Sequence, residues 1–137
     1  MKKLRLIVYT PEGKKFDQEI DFVQVHTDKS FLGILPGHTS LVSDVIVSEL
    51  IVRIDGKDSI FAVGEGVLSV ENDVVKLIVY SLESLEEIDL DRAISAKERA
   101  EKRLAKEYQD EIVDIDRAKA ALARALNRIN IYNNYNK

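Results

Sequence analysis

The sequence predicts a mostly β chain that turns α: an N-terminal β-sandwich of about ten short strands over residues 1–84, then a C-terminal antiparallel two-helix hairpin over residues 85–137. Three observations carry this reading. Through residue 82, short apolar runs recur between turn signals, the pattern of an all-β sandwich or barrel. All 6 glycines and both prolines lie before residue 67. A hexapeptide, Ile88-Asp89-Leu90-Asp91-Arg92-Ala93, returns 25 residues later as Val113-Asp114-Ile115-Asp116-Arg117-Ala118, and each copy opens an alanine- and charge-rich segment.

Along the sandwich, Leu4, Leu6 and Val8 alternate with other side chains, which makes Leu4–Tyr9 a first strand. Its apolar stretch is too short for a signal peptide. Thr10-Pro11-Glu12-Gly13 is a turn, and Glu19–His26, rich in Ile, Phe and Val, is the next extended run. Leu50–Ile54 and Ser59–Val63 flank Asp55-Gly56, a two-residue hairpin signal because that turn needs positive φ. Val67–Val70 and Val74–Tyr80 flank a second hairpin at Glu71-Asn72-Asp73. Gly64 and Gly66 imply a bulge or a close approach to a neighbouring backbone.

Two helices are expected at roughly 89–107 and 114–131, joined by the polar stretch 107–111. In the second, Ile115, Ala118, Leu122, Ala125, Ile129 and Tyr132 follow a 3-4 spacing and form a seam. In the first, Ile88, Ala93, Ala96, Ala100 and Leu104 make a narrower stripe. Alanine lets helices approach closely, but each methyl buries only about 0.8 kcal/mol of apolar surface. Such a seam should open without melting either helix, as a bistable element does. Asp89 and Asp114 fall where helices begin and read as N-caps. Glu98–Lys102, Arg103–Glu107 and Lys106–Asp110 are i,i+4 pairs worth a few tenths of a kcal/mol each. The asparagine-rich tail from Asn130 carries no assigned role.

Charge and composition narrow the function. Net charge is −4, with 9 basic and 12 acidic side chains in the first 82 residues and 11 and 12 in the remaining 55. Neither part has the basic excess that nucleic-acid binding needs. Absence of cysteine removes disulfides, thiol catalysis and thiolate metal sites, and it fits a reducing compartment. No apolar run approaches the ~20 residues that cross a bilayer. His26 and His38 are the sole bases poised near neutral pH. A triad of Ser30 or Ser43 with His38 and Asp44 can be written, but no nucleophile elbow supports it. No phosphate loop exists, since Gly64-Glu65-Gly66 lacks the spacing and the lysine. Four arginines stand apart: Arg92 and Arg99 are seven residues apart on one face, and Arg124 and Arg128 four apart on another. Forked guanidinium groups converging with capping carboxylates suit a polyphosphate with a ribose or amine nearby.

The string Gly33-Ile34-Leu35-Pro36-Gly37-His38-Thr39-Ser40-Leu41-Val42 resembles the signature of the ε-subunit family of F-type ATP synthases. Resemblance extends from Val8-Tyr9-Thr10-Pro11-Glu12-Gly13 to Ala125-Leu126-Asn127-Arg128-Ile129, essentially the whole chain. It implies a non-catalytic rotor component. The sandwich would bind the γ subunit and rest on the c-ring, with Phe31, Gly33, Pro36, Gly37 and His38 in the contacting region. Phe31 stands where relatives often carry an acid, so no polar contact transfers there. The hairpin would fold back when compact. Extended, it would run along γ into the α and β subunits of the catalytic head and block ATP hydrolysis.

Some bacterial members bind ATP in the compact form through an Ile/Leu-Asp-x-x-Arg-Ala motif, complete here as Ile88, Asp89, Arg92 and Ala93. Glu83, Arg99, Arg124 and Arg128 match further positions of that site. ATP is thus expected as a regulatory ligand, with no required cofactor and no metal. The resemblance and the lack of an import sequence imply a peripheral place on the cytoplasmic face of a bacterial plasma membrane, with a thylakoid membrane as the alternative. Two other readings stand beside it: a purely structural coupler whose helices stay packed and bind no nucleotide, and, more remotely, a hydrolase built on His38.

Overall fold

The structure, a computed structural model, describes residues 2–105 and 114–136. The polar joint 107–111, Val113 of the second hexapeptide and the pairs Arg103–Glu107 and Lys106–Asp110 lie outside the described residues. The chain divides into two units, Met1–Leu85 and Glu86–Lys137.

The first unit is two five-stranded sheets. One runs in the order β2 (Gly13–Ile20), β1 (Leu4–Thr10), β9 (Val74–Val79), β8 (Gly66–Glu71), β5 (Leu41–Val45). The other runs β10 (Leu82–Ser84), β7 (Lys57–Val63), β6 (Ser48–Ile54), β3 (Phe22–His26), β4 (Phe31–Ile34). Every pairing is antiparallel except that of β1 with β9, which sets Arg5 beside Val74 and Tyr9 beside Ile78. Alternate side chains of both sheets point inward, so Leu4, Leu6, Val8, Val23, Val25, Val52, Leu68 and Leu77 are all buried in one core. Each contributes about 1.5–3 kcal/mol by leaving water.

Both expected hairpins form. Asp55 and Gly56 lie at φ 51° and 79°, Asn72 and Asp73 at 49° and 63°. Two consecutive positive φ values match the turn to the strand twist. Gly66 makes the close approach expected of it: an added Cβ would sit 2.0 Å from the Ile78 carbonyl oxygen.

The run Glu19–His26 is not one strand. It breaks at Asp21, where the chain leaves one sheet for the other: Ile20 pairs with Leu4, whereas Phe22 pairs with Arg53. Hydrogen bonds pin this corner. The Asp21 N–H donates to the Arg53 carbonyl at 2.8 Å. Its carboxylate accepts from the Lys3 ammonium and, at 2.7 Å, from the Asp55 N–H.

Charges decorate the sandwich surface. The Arg5 guanidinium grips Asp17 through two bonds of 2.9 Å, with Lys14 at 3.0 Å on the same carboxylate. Arg53 holds Asp58 in the same forked way and lies 5.0 Å above the Phe22 ring. Hydrogen bonds from these cations hold Asp17 and Asp58 well below the usual carboxylate range, and those from Lys3 and the Asp55 amide do so for Asp21. A carboxylate whose folded pKa is depressed adds stability above its unfolded value, about 3.9, and loses it as pH falls through the folded one. Thermal melts should therefore be flat from pH 7 to 5 and shift downward below about pH 4. Asp17→Asn should melt below the parent at pH 7, and the gap should narrow steadily as pH falls below about 4; parallel curves at every pH would contradict the assignment. Asp28 goes the other way: burial, and then the charge of nearby Asp44, raise its pKa.

The second unit is a hairpin of α1 (Leu90–Ala105) and α2 (Ile115–Tyr135), preceded by a single 3-10 turn at Leu85–Glu87. Its helices pack through small side chains: Ala93 and Ala100 of α1 and Ala118 and Ala125 of α2 are buried, with Leu104, Leu122, Ile129 and Tyr132 half-buried. Ile115, expected in the seam, is 38% exposed, so the seam begins at Ala118. α2 also runs past the expected end at 131, through the asparagine-rich tail to Tyr135. Ile131 is buried, and Asn136 closes the helix by donating its N–H (3.0 Å) and its side-chain amide (3.2 Å) to the Tyr132 carbonyl. Among the described residues, no helix is long and apolar enough to cross a membrane.

Candidate functional site

The two hexapeptides build the same local device. In the first, Asp89 Oδ1 accepts the Arg92 N–H at 3.1 Å while the Asp89 carbonyl accepts the Ala93 N–H at 3.0 Å. In the second, Asp114 does the same for Arg117 (3.1 Å) and Ala118 (3.0 Å). Each aspartate thus satisfies a helix-start amide and places negative charge at the positive end of the dipole. Ile88, just before the cap, and Ala93, four residues into the helix, are both buried, as in a hydrophobic staple. Capping carboxylate and buried methyl explain why Asp and Ala recur at this spacing. Capping does not explain the arginine.

Asp89→Ala and Asp114→Ala should each cost about 1 kcal/mol of helix stability, and Asn at either position should restore most of it. Melts followed by circular dichroism check this. Asp89→Asn, which keeps the cap and removes the charge, is therefore the substitution that isolates any ligand role of that carboxylate.

Of the four arginines, Arg92 and Arg99 lie on exposed positions of α1 and Arg124 and Arg128 on half-buried positions of α2. A hairpin sets the start of α1 beside the end of α2, so Arg92 and Arg128 fall at the same end. Arg124 and Arg128 both engage other groups, as does Glu83, which sits in β10 opposite Ala62 in the first unit.

A second candidate surface lies on β4 and the turn after it. Phe31 is 61% exposed and Leu35 58% exposed, so apolar side chains stand at both ends of β4. The Phe31 ring lies 5.9 Å from the imidazole of His26, across the β3–β4 pair. Gly33 faces the Phe22 ring, where a Cβ would approach to 3.0 Å. Pro36 and Gly37 form the turn, with Gly37 at φ 85° and the His38 N–H donating to the Leu35 carbonyl at 3.2 Å. Val42 of β5, in the other sheet, is 75% exposed, which the sequence pattern did not single out. Its signal was positional: within β5 it alternates with the inward residues that face the core.

In the conceivable triad Ser43 and Asp44 are joined, but the His38 Nδ1 is turned to its neighbour's backbone. His38 Nδ1 donates to the Thr39 carbonyl at 2.7 Å, Ser43 Oγ donates to the Asp44 carbonyl (3.2 Å) and carboxylate (3.3 Å), and the Ser30 N–H donates to Thr27 Oγ1 at 3.2 Å. Among the described residues, no group of three His, Asp or Glu side chains is placed to hold a metal.

Comparison with known proteins adds the family. Residues 3–85 match the model of the ATP synthase delta/epsilon chain β-sandwich domain, and residues 86–133 match that of its long α-helix domain. The ATP synthase epsilon chain of Bacillus licheniformis is 40% identical over 131 residues, covering 96% of this chain and 98% of its own length. That of Bacillus velezensis is 39% identical over 134 residues, covering 98% and 100%. Among solved structures, a chain of the Euglena gracilis mitochondrial ATP synthase aligns with a TM-score of 0.70 at 22% identity, over 88% of this chain and 76% of that one. A chain of the central stalk and c-ring of Tetrahymena thermophila mitochondrial ATP synthase aligns at 0.61 with 12% identity, over 99% and 98%. These last two likenesses concern the fold.

Proposed function

The chain belongs to the ATP synthase delta/epsilon-chain family, a non-catalytic component of the rotary enzyme, and on that premise we propose that its helical hairpin is a nucleotide-responsive brake on the central stalk. The sandwich is the coupling part. It contacts the γ subunit and the c-ring through β4 and the Pro36-Gly37 turn, and so sits peripherally at the membrane as part of the complex. The hairpin alternates between a docked position and an extended one that reaches the catalytic head and stops ATP hydrolysis. ATP binds the docked form through Asp89, Arg92, Arg99, Arg124 and Arg128, as an effector that is not turned over.

The observation that carries this reading is the pairing of Arg92 and Arg99 on exposed positions of α1 with Arg124 and Arg128 on α2, in a hairpin whose seam is made of buried alanine. A weak seam leaves the two positions one to two kcal/mol apart, on the order that a ligand can reverse. ATP at a hundredfold its Kd favours the form it binds by about 2.7 kcal/mol. Falling ATP then releases the brake element and prevents wasteful hydrolysis.

Titration calorimetry of ATP into the full chain tests this. Saturable binding with no phosphate release is the expected result. The competing reading, a fixed structural coupler, draws on the caps, since Asp89 is already occupied by the Arg92 amide. It predicts no binding heat, and a helix position in the assembled enzyme that crosslinking finds unchanged at any nucleotide level.

A further inference from the structure

We propose that Asp73 is a positioning residue that clasps the Pro36-Gly37 turn from the neighbouring hairpin and holds it in its contacting form. The proposal rests on the reading that this turn meets the stalk or ring. With Gly37 at φ 85° and the His38 N–H bonded to the Leu35 carbonyl, the turn has the form that carries positive φ at its third residue. In that form the N–H of the third residue takes no part in closing the turn. Here the Gly37 N–H donates to Asp73 Oδ1 at 2.7 Å, across 36 positions of sequence. A bond of that length from an amide to a carboxylate belongs to the charge-assisted class.

Aspartate is tolerated at the position of Asp73, but glycine is easier. Asp73 lies at φ 63° as the second central residue of the β8–β9 hairpin. Glycine there would offer no acceptor, whereas aspartate places a carboxylate within reach of Gly37. The turn is then fixed three ways: by the Pro36 ring, by the Leu35–His38 bond, and by an anchor from the β8–β9 hairpin. Exposed Leu35 and Phe31 flank it, and a turn already ordered loses less freedom when a partner covers them.

Two substitutions at one position separate the bond from the backbone. Asp73→Gly suits the left-handed conformation and deletes the acceptor; Asp73→Asn tolerates that conformation and keeps an acceptor oxygen. In the full chain, hydrogen exchange at the Gly37 amide, followed by NMR, should quicken about tenfold in Asp73→Gly and stay near the parent rate in Asp73→Asn. Asp73→Gly should melt no lower than the parent, yet bind purified γ subunit or c-ring several-fold more weakly, with Asp73→Asn restoring affinity. Unchanged Gly37 exchange in Asp73→Gly overturns the clasp. Faster exchange with undiminished binding of both partners overturns the positioning role. If the parent binds neither partner, the contact reading itself falls, while the exchange comparison still decides the clasp.

Discussion

Gly66→Ala is expected to destabilise the sandwich by about 3 kcal/mol or more, lowering Tm by roughly 12–24 °C for a unit of this size. The new methyl would lie 2.0 Å from the Ile78 carbonyl oxygen and 2.7 Å from the Val79 Cα, both backbone atoms of the paired strand. Side chains can rotate away from a clash; a strand bonded on both sides cannot. β9 is held by β8 on one flank and β1 on the other, so relief requires moving the middle of a five-stranded sheet. Gly37→Ala is the informative comparison. There the φ of 85° is unfavourable for alanine but nothing lies within 4 Å, so the cost is backbone strain alone, about 1 kcal/mol. Equal melting temperatures for the two variants would contradict this distinction between crowding and conformation.

Arg92→Ala should weaken ATP binding at least tenfold, about 1.4 kcal/mol or more, while leaving the melting curve of the sandwich unchanged. The expectation comes from the fork of the guanidinium, which offers phosphate oxygens paired donors that no residue of the cap supplies. Arg92→Lys should fall between parent and alanine variant, because it keeps charge and loses the fork. The second hexapeptide supplies an internal control. Arg117 occupies the same position relative to an identically bonded cap, yet belongs to no matched site, so Arg117→Ala should leave ATP affinity alone. Calorimetry showing the parent affinity in Arg92→Ala would refute the assignment of the site.

Local rules made much of the sandwich legible. Asp55-Gly56 and Asn72-Asp73 announce themselves because few residues accept positive φ, and Gly66 because a strand interior has little other use for glycine. The Asp21 corner was not legible. Ile20 and Phe22 are both apolar, and only their pairing with different sheets shows that the run is two strands. β2 was missed along its first part for a related reason: Lys14, Lys15, Asp17 and Gln18 form an edge whose polar surface hides its pairing with β1. The end of α2 was misplaced because asparagine has low helix propensity. Burial of Ile131 and the Asn136 cap outweigh that preference, and neither is visible from spacing. Among the candidate residues, the repeat was plain, but its dual content was not. A capping aspartate and a ligand-binding aspartate look alike in sequence, and only the 3.1 Å bond to the Arg92 amide shows that one of the roles is filled.

The parallel ladder of β1 alongside β9 dictates an order of assembly. The opening strand can fold onto β2 at once through a short connection, but its other flank stays open until the chain has reached Val79. Closing that long loop is the entropically expensive step and should set the folding rate. Until then, Leu4–Thr10 is a half-covered apolar ribbon able to recruit a foreign strand. Emergence from the ribosome is therefore the interval in which this protein is most exposed to aggregation, and a fragment truncated before β9 would remain in that condition permanently.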